Sequence, residues 1–397
     1  MASNKDVILK RIKDGIDNIK NKDFTLYFYT IDCKNTPNGK AFYTYNLAKT
    51  LSDLGYNVCM VYQIENEYTE EELKELDKKN LLPDENRIFR GVDQWLGEEY
   101  GKLKHMNIQS EEWKVGPWDF FFIPEVLASI MYLTFKNKIP CKRYVILNNY
   151  DYITEFIPFG QQWANYGIDH VIASTQYQAD KINDIFPYTK GHTTILPPFI
   201  PNCFRKPLKP QKLIVNIISK NQDNVNRIIK NFYWKYPSYQ FISFRDVRGL
   251  NENAFADTLK EGAITIWVDD DTSFGYSALE AIRCNNILIA KIPEVLQGWM
   301  IDHDGNLKNN AIWFNNIYDS IDLLAKVISS WMVDAIPEDI TKSMEETNKL
   351  YTYDEWTENV EEFIENACQE RIDEFKVIYD EAESNKETDN TDKEVKE

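Results

Sequence analysis

The chain has 397 residues, of which 43% are hydrophobic and 14% aromatic, and a formal net charge of −18. That length exceeds one ordinary core and predicts two domains, and the apolar content excludes a wholly disordered chain. No apolar run approaches the ~18 residues of a transmembrane helix, and the negative charge opposes non-specific binding to nucleic acid or anionic membrane.

The first fifteen residues, MASNKDVILKRIKDG, lack the continuous apolar stretch of a secretory signal, so a cytoplasmic location is the expectation. Six cysteines, at 33, 59, 141, 203, 284 and 368, form no CxxC pair. The histidines at 105, 170, 192 and 303 show no metal-ligand spacing. Neither a metal nor another cofactor is therefore expected.

Val7, Ile8, Ile12, Ile16 and Ile19 recur at helical spacing and predict a helix over 5–20. FTLYFYTI (24–31) reads as a buried strand, a loop containing Gly39 follows, and 40–54 reads as a helix closed by Gly55. NVCMVY (57–62) is the next strand. Strand, glycine loop, helix, glycine and strand make a βαβ unit, which a right-handed crossover turns into a parallel pair. DFFFIP (119–124), RYVILNN (143–149) and DHVIAST (169–175) continue the series, with a helix over 176–185. The charged stretch 64–113 reads as a surface insertion with a helix at 69–79.

LPPFIPNCFRKPLKPQK (196–212) is too proline-rich for a helix or a central strand and marks the domain boundary. A second series opens there. Strands are expected at 213–219, 239–244, 263–269 and 286–291, with helices at 224–236, 253–260, 274–284, 320–332 and 338–375. The acidic end from 379 reads as disordered. The predicted divisions are 1–198, a linker at 199–212, 213–345, C-terminal helices at 346–378 and a tail at 379–397.

The segment DDDTSFGYSALEAIRCN (269–285) is where chemistry is expected. A strand ends at Val268–Asp269 and a helix opens near Phe274–Gly275. Parallel sheets bind ligands at the carboxyl ends of their strands, and a helix N-terminus placed there favours an anion. Gly275 would let a phosphate approach the backbone, and Glu280 would accept hydrogen bonds from ribose hydroxyls. An ordinary helix with Ser273 as its cap and Glu280 in solvent is the alternative reading.

This segment resembles the E-x7-E region of family-4-type retaining glycosyltransferases, whose usual form is E-x-F-G-L-x-x-x-E-A. Three further pieces are similar in order and spacing: G-K-A-F-Y-T-Y-N-L-A-K-T-L-S-D-L-G-Y-N-V-C-M-V, D-H-V-I-A-S-T-Q-Y and I-L-P-P-F-I-P. Together they cover about residues 24–330. The resemblance implies an α/β chain of GT-B fold, with two Rossmann-like doubly wound domains facing a cleft and a C-terminal helix crossing back. It also implies transfer of a sugar from a nucleotide-sugar donor, with retention and without a metal. Implied donor-binding residues are Gly39, Lys40, Lys220, Arg245, Ser273, Phe274, Gly275, Tyr276, Ser277 and Glu280. Implied catalytic positions are Asp271, Thr272, Asn149 and Asp151.

The departures from that pattern bear on chemistry. Thr272 stands where the family carries its first glutamate, with Asp271 beside it. Asn148 and Asn149 stand where a histidine is usual, and Asn cannot act as a general acid or base. Lys220 fits the family's first phosphate-binding position, and the second is not basic; Arg245 is the expected replacement. The acceptor is open: a glycan, a protein or a modified DNA base. A non-catalytic GT-B binding protein and a transferase acting on nucleic-acid bases are the two alternatives.

Overall fold

A computed structural model of the chain describes residues 4–30, 39–62, 95–108, 110, 113–136, 141–149, 152–168, 170–269 and 274–394, with isolated positions among 71–92. The expected helix at 69–79 lies mainly outside the described residues. The chain divides into two compact units: Met1–Ala173 with Ile182–Thr194 and Thr357–Glu397, and Ser174–Lys181 with Ile195–Trp356. The second unit resumes at Ile195, just before the proline-rich stretch 196–212 that was expected to mark the boundary. The helix Gln176–Ile185 is itself shared between the two units.

The first unit holds seven strands among the described residues: β1 (Thr25–Tyr29), β2 (Asn57–Tyr62), β3 (Lys104–Asn107), β4 (Phe120–Pro124), β5 (Lys142–Leu147), β6 (His170–Ala173) and β7 (Thr193–Ile195). They run in the order β3-β2-β1-β4-β5-β6-β7. The pairings of β1 with β2 and β4, and of β4 with β5, are parallel. Every residue of β4 is buried, as expected for a strand covered on both faces. Phe28 and Phe122, partners in register, stack at 4.4 Å. The Asp119 carboxylate sets the start of β4 against β1, accepting the Thr25 N–H at 2.8 Å and the Gly116 N–H at 2.6 Å. Leu47, Ala48 and Leu51 of the helix Gly39–Asp53 are fully buried.

The second unit holds β8 (Lys212–Ser219), β9 (Ser243–Asp246), β10 (Gly262–Val268), β11 (Ile287–Lys291) and β12 (Ile312–Phe314), in the order β12-β11-β10-β8-β9. Its described pairings are parallel. A buried polar knot fixes the second sheet. Asn286 accepts from Thr265 Oγ1 at 2.7 Å and donates to the Leu259 carbonyl at 2.7 Å. Asn285, in the left-handed region at φ 62, turns the chain from the helix Tyr276–Arg283 into β11.

Three short strands were not anticipated: β3, β7 and β12. β3 reads KHMN and β7 reads TTI, too short and too polar to stand out as apolar runs. β9 begins four residues later than expected, because Pro237–Tyr239 forms a 3-10 turn instead. The expected helix at 338–375 is two helices, Glu338–Thr347 and Tyr353–Glu394. Tyr351, at φ 58, breaks the run, and Thr352 Oγ1 accepts the Glu355 N–H at the start of the second helix. The stretch from 379, expected to be disordered, is helical as far as Glu394. The sequence from 380 to 394 contains neither Gly nor Pro, and extending an existing helix needs no new nucleus.

Candidate functional site

In the second unit the strand order changes direction between β8 and β10, which places a crevice at their carboxyl ends. Three connections meet that edge. Ser219 ends β8, and Lys220 and Asn221 follow. The Asn221 side chain caps the helix Gln222–Lys235 by accepting the Asp223 N–H at 2.8 Å. Asp269 follows β10, and Lys220 Nζ lies 3.7 Å from its Oδ1. Glu252 opens the helix that follows β9.

The turn into the helix Tyr276–Arg283 is built around Gly275, which takes the left-handed conformation at φ 83. Its carbonyl accepts the N–H groups of Ala278 and Leu279. Phe274 is buried and packs edge-on against Tyr351 at 5.0 Å. Its carbonyl accepts the Trp299 indole N–H at 2.8 Å. The first N–H groups of the helix have no acceptor within the helix and add the positive end of its dipole to this edge.

Glu280 lies in the same helix with only part of its surface open to solvent. Among the described residues no hydrogen-bond donor meets its carboxyl. Burial, followed by the neighbouring charge of Glu252, pushes its pKa up to about 8. The Cys203 thiol donates to Glu252 Oε1 at 3.4 Å. Burial, with Glu252 and Glu280 adding to it, holds that thiol neutral. This cluster of two carboxyls and a thiol is suited to hydroxyl donors, since an added anion would be repelled.

Several predicted residues fall on this edge: Lys220, Phe274, Gly275, Tyr276, Ser277 and Glu280. Asp271, Thr272 and Ser273 lie outside the described residues. Arg245 is a correction. It sits within β9 and not after it, and its guanidinium reaches back to Glu261, the residue preceding β10, at 2.6 Å. Lys212, the first residue of β8, pairs with the same carboxylate, which the two cations hold down at a pKa of about 2. Arg245 is thereby tied toward the amino end of the sheet, away from the carboxyl edge. Glu252 and Trp299 were missed in the sequence. Glu252 looks like any first-turn acid, and Trp299 lies 25 residues from its partner Phe274.

In the first unit the switch in strand order falls between β1 and β4. Glu125, directly after β4, is fully buried there. It accepts the Asn149 backbone N–H at 3.1 Å and Asn148 Nδ2 at 3.2 Å. Burial raises its pKa to about 7 against the opposing pull of these bonds. Asn149 thus joins this edge through its backbone, with Glu125 supplying a carboxyl that titrates near neutrality. An acid closing a wholly apolar strand was the signal for Glu125. Gly39 and Lys40 open the helix Gly39–Asp53. The preceding loop and Asp151 lie outside the described residues.

No family model matches the chain. An alpha-1,6-glucosyltransferase of Actinobacillus pleuropneumoniae serotype 7 (strain AP76) is 25% identical over 200 residues, 49% of this chain and 60% of that protein. The chain therefore aligns with less than two thirds of that relative's length. A pneumococcal O-GlcNAc transferase, GtfA, solved with UDP and GlcNAc, superposes with a TM-score of 0.58 at 9% identity, covering 86% of this chain and 99% of that one. A TarM variant from S. aureus, solved with Fondaparinux, alpha-GlcNAc-glycerol and UDP, gives 0.57 at 12% identity, covering 86% and 99%. The sucrose-phosphate synthase of Thermosynechococcus elongatus gives 0.54 at 11%, covering 87% and 99%.

The fold is GT-B. Both Rossmann-like sheets of this GT-B chain are described, and the helix Tyr353–Glu394 leaves the second unit at Trp356 and continues in the first from Thr357. No described helix is long and apolar enough to cross a membrane.

Proposed function

We propose that the chain is a glycosyltransferase that takes a hexosyl group from a nucleoside-diphosphate sugar held on the carboxyl edge of the second sheet. The observation that carries this reading is Glu280. Its carboxyl is largely enclosed, meets no donor among the described residues and titrates near 8. A ribose offers two adjacent hydroxyls, and two donated hydrogen bonds would favour the carboxylate and offset its burial. Lys220 and the start of the helix Tyr276–Arg283 lie on the same edge and supply positive charge for a diphosphate. The glucosyltransferase relative supports transfer of a hexose, and UDP in the GtfA and TarM structures supports a uridine donor.

In this reading departure of the diphosphate is the step that the protein assists. Lys220 and the helix N–H groups stabilise the negative charge as it develops on the leaving oxygens. Retention at the sugar carbon is proposed on the resemblance alone, and the proposal names no acceptor. Thr272, in the place of a family glutamate, favours a second reading in which the donor binds and is not turned over.

Two measurements test the proposal. UDP should raise the melting temperature of the full chain, as any ligand bound only to the native state does. UDP-glucose should then be hydrolysed slowly to UDP without an acceptor. A UDP-induced shift with no release of UDP from any UDP-hexose would favour the binding protein, and no shift with UDP, GDP or ADP would overturn both readings.

A further inference from the structure

A second cluster of functional groups lies wholly within the first unit and is independent of the donor site. His170 opens β6, and His192 lies just before β7. The Val171 N–H donates to the His192 carbonyl at 2.9 Å, so the backbone ladder sets the two imidazoles side by side. Their ring centroids are 4.8 Å apart. Gly191, at φ 85, makes the left-handed turn that delivers His192 to this position. Glu370 reaches the pair from the helix Tyr353–Glu394.

Three potential ligand atoms converge. His170 Nε2 lies 2.9 Å from Glu370 Oε1 and 3.3 Å from His192 Nδ1, and His192 Nδ1 lies 3.7 Å from Glu370 Oε1. Ligand atoms held tetrahedrally about a zinc ion at about 2.0–2.1 Å stand roughly 3.3 Å apart. The three separations bracket that value. We infer that His170, His192 and Glu370 form a site for a divalent transition-metal ion of the zinc class.

Proton accounting also favours a cation at the centre. Two ring nitrogens and a carboxylate oxygen face one another, and each can offer a lone pair. Without a metal, a proton on one ring nitrogen must take its place between these groups. Two nitrogen ligands and one carboxylate suit zinc, cobalt or nickel and disfavour magnesium and calcium, which prefer oxygen. The trio borders a cavity of about 290 Å³ that is also lined by Asn366, one helical turn before Glu370. The cavity leaves room for water as the fourth ligand.

One neighbour opposes the metal. Lys142 Nζ lies 3.9 Å from Glu370 Oε1, although its closer partner is Glu374. A second cation at that distance weakens the site, so removing it should tighten metal binding. The bound ion would link the helix to β6 and β7. Sequence spacing hides the arrangement, because His170 is 22 residues from His192 and 200 from Glu370.

The test uses the full chain stripped with a chelator and dialysed against zinc chloride. One equivalent of zinc should be retained, and the melting temperature should rise with zinc and not with magnesium. Cobalt should give the intense visible absorption of a tetrahedral site. His192→Ala alters a half-exposed side chain and should fold, as circular dichroism would verify. This variant and Glu370→Gln should each bind at least about tenfold more weakly. Lys142→Gln should bind more tightly, and His303→Ala, at an exposed histidine elsewhere, should bind as wild type. Retention of no zinc, or equal retention by the wild type, His192→Ala and Glu370→Gln, overturns the site. Either result would leave the sugar-transfer reading untouched.

Discussion

The indole N–H of Trp299 donates to the carbonyl of Phe274 at 2.8 Å, and the same ring occupies the space beside Gly275. A Cβ on Gly275 would stand 2.9 Å from Trp299 Cζ2. The glycine also has φ 83, a conformation costly for any residue with a side chain. Gly275→Ala therefore meets two penalties at once. It should lose about 1–3 kcal/mol of stability in urea unfolding and weaken UDP binding, since the helix start would shift. Wild-type stability in this variant would show that the turn is not fixed by Trp299.

Lys220 and Arg245 should behave differently, although both are cations near strand ends in the sequence. Lys220 makes one long contact to Asp269 and is two-thirds exposed. Lys220→Ala should weaken UDP binding by about 1 kcal/mol, roughly fivefold, with the difference shrinking as salt rises. Arg245→Ala breaks only the pair with Glu261 and should leave UDP affinity unchanged. Calorimetry on the two variants checks this. A loss of affinity on Arg245→Ala alone would place the diphosphate on the other end of the sheet.

The contrast shows where sequence reading succeeds and where it stops. The long apolar runs that became β1, β4, β8 and β10 were legible because burial on both faces demands unbroken hydrophobic sequence. The chemistry at their carboxyl ends was legible only where the main chain itself dictates it, as at Gly275. Arg245 was misplaced because β9 runs on to Asp246, two residues past the expected end, which puts the arginine inside the strand. Glu125 and Glu280 owe their raised pKa values to burial, with Glu252 adding to the second, and the strength of that effect is set by tertiary packing. His170, His192 and Glu370 meet through tertiary structure alone.

The helix Tyr353–Glu394 gives a test of packing. Phe363 is buried against the edges of Phe122 at 6.3 Å and Tyr144 at 5.7 Å. Phe363→Ala should cost about 3–5 kcal/mol through lost contact and the cavity it leaves. Farther along, Phe375 is buried, whereas Val377 and Ile378 are exposed. Deleting residues 385–397 should consequently leave the melting temperature unchanged. A clear loss on that deletion would show that the end of the helix also packs.

Glu280 should make nucleotide binding depend on pH. Its carboxyl titrates near 8 when no ligand is bound, because burial and the charge of Glu252 disfavour ionisation. Hydroxyl donors from a ribose would favour the carboxylate and lower that pKa in the complex. Binding must then release a proton below about pH 8. Affinity should be full above that pH and fall as pH drops, by up to about tenfold per unit, until the lowered pKa of the complex is reached. The stability of the unliganded protein has the opposite trend. A raised carboxyl pKa contributes stability below the ordinary carboxyl range near ~4.3, and that contribution is lost as pH rises through about 8. Glu280→Gln removes the titrating group and keeps the shape. It should bind UDP more weakly than wild type at pH 9, flatten the pH dependence and lessen the loss of stability at high pH. The phosphate of UDP ionises equally with both proteins, so the difference between their profiles isolates Glu280. Calorimetry from pH 6 to about 9 reads it. Parallel profiles for wild type and Glu280→Gln would mean that this carboxyl does not touch the nucleotide.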